Sequence, residues 1–152
     1  MKLNKIIECL ENWAPPSLQE EYDNSGLIIG IKQNEIKGIL VTLDCTEEVI
    51  DEAIKKKCNL IISHHPLIFR PIKKITGSNY VERSILKAIK NSIAIYSIHT
   101  NLDNIITGVN SKIADKIGLK NIEILNKKSN LLSKIEFYVP KDYKENILKK
   151  LF

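Results

Sequence analysis

Apolar residues recur along the chain at two spacings, and each spacing predicts a kind of element. Ile6, Ile7, Leu10 and Trp13 share one helical face, with Glu8 and Glu11 between them and Pro15-Pro16 beyond. A first amphipathic helix capped by Asn4 is therefore expected. The turn formers Asp23-Asn24-Ser25-Gly26 lead into Leu27-Ile28-Ile29, which Gly30 closes, so a strand and a turn follow. Ile39-Leu40-Val41-Thr42-Leu43 is a continuous apolar run with β-branched members, the pattern of a strand covered on both faces. Thr46, then Glu47 and Glu48, then Val49, Ile50, Ala53 and Ile54 predict an N-capped helix with acidic residues in its first turn and lysines in its last. Leu60-Ile61-Ile62-Ser63 stops abruptly at His64-His65-Pro66. Val81, Ile85, Ala88 and Ile89 return to helical spacing, and Ile93-Ala94-Ile95-Tyr96-Ser97-Ile98 runs to His99. Strand, helix, strand, helix, strand is the order of a parallel sheet with right-handed crossovers. The fold class is α/β, a mostly parallel sheet flanked by helices.

Gly108-Val109-Asn110 opens a further helix, with Val109, Ile113, Ala114 and Ile117 on one side and Gly118 just past its end. The α/β domain is expected over residues 1–126. The segment Asn126–Asn130 is polar and linker-like, Lys134–Val139 alternates as a half-buried strand does, and Ile147, Leu148 and Leu151 begin a helix. A strand and a helix cannot bury a core alone, so residues 131–152 read as the truncated start of a small inserted α+β domain, and the chain as a fragment of a longer protein.

Composition narrows the classes. With 152 residues, 43% hydrophobic and 27% charged, the chain holds enough apolar side chains for one core. No run approaches the ~20 apolar residues that a bilayer crossing needs, and the start lacks the apolar segment and cleavage site of a signal peptide. A cytoplasmic location is expected. Cys9, Cys45 and Cys58 are odd in number and widely spaced, which excludes a disulfide framework and casts the thiols as small core residues in a reducing compartment. The net charge of +5 rests almost wholly on lysine, since Arg70 and Arg83 are the only arginines. Bidentate recognition of phosphates or guanines is poorly supplied, and nucleic acid is disfavoured as a partner.

Ligands of open parallel sheets bind beyond the carboxyl ends of the strands. All three histidines of the chain stand there, His64 and His65 after one apolar run and His99 after another. Asp44 follows a third run, and Asp103 lies four residues beyond His99. Imidazole and carboxylate without thiolate suit an open, water-bearing site for Zn, Fe, Mn, Ni or Co rather than a structural one. A plainer reading stands beside it: His64-His65-Pro66 as a simple turn, Asp44 as a turn carboxylate ahead of Thr46, and Asn24 and Gly26 as a tight turn. Ser63 and Ser97 also lie at strand ends, but neither has the Gly-x-Ser-x-Gly setting of a nucleophile elbow. Phosphate-loop and dinucleotide fingerprints are absent.

Taken together, Asp23-Asn24-Ser25-Gly26-Leu27, Leu43-Asp44-Cys45-Thr46, the block Asn59–Phe69 around His64-His65-Pro66, His99-Thr100-Asn101-Leu102-Asp103, and Gly108-Val109-Asn110 resemble the dinuclear metal centre, toroid-forming proteins known as GTP cyclohydrolase 1 type 2 homologues. The resemblance implies His64, His65 and Asp103 as metal ligands. It implies His99 as the candidate catalytic residue, an additional ligand or a partner that orients the water or the carboxylate. Asp44 and Asn24 would line the cleft. It also implies two divalent ions per subunit, a homohexameric ring, and hydrolysis by metal-bound hydroxide, with GTP or another small molecule as substrate. A non-catalytic metal-binding scaffold or regulatory protein is the alternative. Family members carry a further His-x-x-x-Glu pair near the C-terminus, whereas no histidine follows His99 here, so half of that ligand set is missing.

Overall fold

Two central strands carry side chains to opposite faces of one sheet, and this alternation organises the molecule. The computed structural model describes residues 1–125 and 136–151. Its elements are α1 (Leu3–Trp13), β1 (Gly26–Ile29), β2 (Ile39–Thr42), α2 (Glu47–Lys55), β3 (Leu60–Ser63), α3 (Tyr80–Lys90), β4 (Ala94–Ser97), α4 (Thr100–Asp103), α5 (Val109–Ile117) and α6 (Lys144–Leu151). The sheet order is β1-β4-β3-β2. The pairs β2/β3 and β3/β4 are parallel, while β1 runs antiparallel to β4 at the edge. The α/β class and the mostly parallel sheet are as the sequence predicts.

On one face, Leu60 and Ile62 of β3 with Ala94 and Tyr96 of β4 pack against Leu3, Ile6 and Ile7 of α1. On the other, Ile61 and Ile95 pack against Ile50 and Ala53 of α2 and Ile85 and Ala88 of α3. Every residue of β3 and β4 is buried. The edge strand β2 differs from expectation: Ile39 and Val41 are 44% and 75% exposed, because α1 covers their neighbours Leu60 and Ile62 but does not reach the sheet edge. This strand is covered on one face only.

Caps follow the same division between local and distant causes. Thr46 accepts a hydrogen bond from the Val49 N–H, as predicted. Asn79 caps α3, its side chain accepting from the Glu82 N–H while its amide donates to the Glu82 carboxylate, a cap that the apolar spacing alone did not flag. Asn4 does not cap α1. It lies inside the helix, and the free N–H groups of Leu3 and Asn4 are met by the carbonyls of Asn34 and Lys32. The backbone of a distant turn has taken the place of a side-chain cap. Gly118 ends α5 in the left-handed conformation, which glycine adopts without strain.

Cys45 is buried, Cys58 partly so and Cys9 exposed, so Cys9 is not a core residue. Burial pushes the Cys45 thiol up to about 12. The expected linker over Asn126–Asn130 and the first residues of the expected strand, Lys134 and Ile135, lie outside the described residues, as does Phe152. Residues 136–139 are not in a strand, contrary to the alternation of the sequence, and α6 follows. No described helix is long and apolar enough to cross a membrane.

Candidate metal centre

The carboxyl ends of β2, β3 and β4 point the same way, and the parallel ladder continues past them into the histidines. His64 N–H donates to the Thr42 carbonyl and His65 N–H to the Leu43 carbonyl. Ile98 N–H donates to the Ser63 carbonyl. Backbone bonding therefore fixes both histidine loops before any side chain is considered. The three imidazoles meet above the sheet: ring centroids are 5.0 Å apart for His64 and His65, 5.1 Å for His64 and His99, and 5.5 Å for His65 and His99. One ligand nitrogen from each ring lies within 4.8 Å of the others.

Each ring is also held from behind through Nδ1. His64 Nδ1 is 2.9 Å from the Ile98 carbonyl, His65 Nδ1 is 2.7 Å from Asp44 Oδ1, and His99 Nδ1 is 2.8 Å from Asp23 Oδ1. A carbonyl and an ionised carboxylate can only accept, so Nδ1 donates in every case, and in the neutral ring Nε2 keeps its lone pair. Nε2 is the nitrogen of each ring that Nδ1 bonding leaves for a ligand. A neutral imidazole with its proton anchored to an oxygen is the state in which histidine binds a divalent cation.

Asp103, on α4, sets its Oδ1 3.8 Å from His64 Nε2, at the rim of the same crevice. The chain thus brings His64, His65 and His99 together and places Asp103 beside His64. Asp44 stands behind His65 rather than in the crevice, and both partners are substantially exposed, 58% and 47%. Asn24 donates to the Ile68 carbonyl, which secures the loop that carries Phe69, whose ring centroid is 6.3 Å from that of His99.

Sequence reasoning missed Asp23, which it absorbed into a turn. Its side chain is fully buried. Oδ1 accepts from Asn24 N–H and His99 Nδ1, and Oδ2 accepts from Ser25 Oγ, Thr100 N–H and Thr100 Oγ. Burial by itself would raise the Asp23 pKa, but the bonds from Thr100, His99 and Ser25 prevail and hold the carboxyl well below the usual carboxylate range. The signal that brings it to His99 is register: β1 runs antiparallel to β4, with Gly26 opposite Ser97, so the turn before β1 meets the loop after β4.

The profile of the family described as Duf34/NIF3 (NGG1p interacting factor 3) matches residues 1–150. A Staphylococcus epidermidis protein called GTP cyclohydrolase 1 type 2 homolog is 44% identical over 146 residues, which are 96% of this chain and 40% of that one. A Clostridium acetobutylicum protein of the same name is 42% identical over 127 residues, 84% of this chain and 47% of that one. The crystal structure of a Bacillus cereus protein related to NIF3 superposes with a TM-score of 0.81 at 44% identity, covering 84% of this chain and 35% of that one. This chain spans less than half the length of these relatives.

Proposed function

The chain belongs to the Duf34/NIF3 family, and on that footing we propose that its strand-end histidines form a divalent-cation centre that serves hydrolysis. The observation that carries the reading is the common posture of His64, His65 and His99, each bonded through Nδ1 to an oxygen and each with a ligand nitrogen within 4.8 Å of the others. The donor set fits a divalent transition metal, since it is rich in neutral nitrogen, has one carboxylate at its rim and contains no thiolate.

His64 and His65, on successive residues after β3, hold the cation or a neighbouring pair, and Asp103 supplies the anionic ligand. His99 lies beside them as the acceptor that orients a water or substrate hydroxyl. A bound divalent cation lowers the pKa of a coordinated water from ~16 to about 7 and polarises the bond to be cleaved. The family reading extends this to two cations per subunit, with further ligands from the region that longer relatives possess, and to assembly as a toroidal homohexamer. The name of the relatives makes a guanine nucleotide the first substrate to try.

Elemental analysis of wild type beside His64→Ala and Asp103→Ala tests the centre. Loss of metal in both variants is expected; equal metal content in all three proteins refutes it. Metal-loaded full-length protein is then assayed on GTP and on generic phosphoester and amide substrates. Metal-dependent turnover supports hydrolysis, and retention of metal without turnover replaces it with a scaffold or regulatory role.

A further inference from the structure

The three imidazoles are not held alike. His64 leans on a backbone carbonyl and His65 on an exposed carboxylate, whereas His99 leans on a carboxylate with no solvent exposure. We infer that Asp23 is a positioning residue that locks His99 as a hydrogen-bond acceptor toward the crevice. The inference deepens the proposed cation centre and rests on it only for the consequence at the cation.

The lock follows from where the donors come from. Each Asp23 oxygen receives a backbone N–H, Oδ1 from Asn24 at 2.7 Å and Oδ2 from Thr100 at 3.0 Å. A backbone donor cannot reverse its sense. Both oxygens must therefore be acceptors, and no neutral amide satisfies the site in either orientation. An oxygen that must accept obliges His99 Nδ1 to donate, and a neutral ring protonated at Nδ1 is bare at Nε2. Ser25 and Thr100 hydroxyls complete the shell of Oδ2. The His99 backbone is held as firmly, its N–H donating to Asn101 Oδ1, while the Asn101 amide donates to the Ala14 carbonyl at the end of α1. Asp23 thus acts on the crevice through His99 without lining it.

Asp23→Asn keeps the size of the side chain and removes one acceptor. The amide NH2 has two placements. Facing Thr100, it opposes the fixed Thr100 N–H and takes the acceptor from the Ser25 and Thr100 hydroxyls, which must turn to accept instead; facing His99, it opposes only the Asn24 N–H and can donate to Nδ1 if the ring moves its proton to Nε2. The second placement turns the crevice-facing nitrogen from acceptor to donor.

The test is nitrogen NMR of the full chain labelled with 15N-histidine, free of metal, at about pH 8, above the ordinary imidazole range. His99 is assigned by the signals lost in His99→Gln. In wild type, and in Ser25→Ala, which retains the carboxylate, His99 should be protonated at Nδ1 and bare at Nε2. In Asp23→Asn the proton should move to Nε2. Wild type with Nε2 protonated, or a folded Asp23→Asn with the wild-type tautomer, overturns the inference. If Asp23→Asn does not fold, the wild-type and Ser25→Ala spectra still decide. Zn2+ titration of the same samples reads the cation separately, with an expected loss of ~10–100-fold in affinity for Asp23→Asn, the usual cost of removing a partner behind a ligand set. Wild type that takes no Zn2+ overturns the cation centre, and the spectra then decide the role of Asp23 by themselves. Equal Zn2+ affinity in wild type and a tautomer-switched Asp23→Asn overturns the link between Asp23 and the cation.

Discussion

Ser63 and Ser97 face each other in register at the carboxyl ends of β3 and β4, their hydroxyls 3.1 Å apart and fully buried. Ser63 Oγ also lies 2.9 Å from the His65 carbonyl, which can only accept. The Ser63 proton is thereby committed to His65, and Ser97 is the donor of the pair. A short hydroxyl relay ties the two central strands to the turn that carries the histidine pair. Ser63→Ala leaves the Ser97 hydroxyl without its partner in a buried setting and releases the His65 carbonyl. The expected cost is about 1–2 kcal/mol in urea denaturation, together with weaker Zn2+ binding by calorimetry.

The two carboxylates behind histidines should differ in weight. Asp44 and His65 are both exposed to solvent, so a water molecule can replace the carboxylate. Asp44→Ala is expected to lower Zn2+ affinity by less than ~10-fold, the small end of the range for partners behind a ligand. A loss as great as that of Asp23→Asn in the same titration would show that exposure does not set the hierarchy.

Glu82 provides a pH signature far from the crevice. Its carboxylate accepts from the N–H and hydroxyl of both Thr76 and Ser78 and from the Asn79 amide. The N–H groups of Thr76 and Ser78 are the chief cause that lowers its pKa from 4.5 to about 2. A folded-state pKa below the unfolded one adds stability that is complete above the unfolded value and fades as pH falls toward the folded one. The melting temperature of wild type should therefore exceed that of Glu82→Gln most above about pH 5, with the gap closing between 4.5 and about 2. A gap independent of pH over this window contradicts the assignment.

Neighbouring strands should respond unequally to substitution. Ile61 is fully buried between β3 and the helices α2 and α3, and Ile61→Ala is expected to cost about 2–5 kcal/mol. Val41, on β2, is 75% exposed, and Val41→Thr should change stability by no more than about 0.5 kcal/mol. Denaturant midpoints of the two variants compare them directly.

The elements that the sequence predicted well are those with a local cause. Val81, Ile85 and Ala88 marked α3, Thr46 marked the start of α2, and Gly118 marked the end of α5, because periodicity, capping and left-handed backbone are written within a few residues. The placement of His64, His65 and His99 after apolar runs was legible for the same reason: strand ends are visible in sequence, and parallel strands present their carboxyl ends together. Asn4 failed as a cap and β2 failed as a doubly covered strand for the opposite reason. Each outcome depends on which distant segment arrives, the turn at Lys32–Asn34 in one case and the reach of α1 in the other.

From its own pattern the chain determined an α/β sheet with its histidines at the strand ends, because alternation, helical spacing and strand termination are short-range properties of the residues themselves. Only the tertiary structure decided which nitrogen each imidazole presents. That choice belongs to the oxygen behind each ring, and for His99 this is Asp23, 76 positions away, brought there by the antiparallel pairing of β1 with β4, which depends on contacts between segments and on no local pattern.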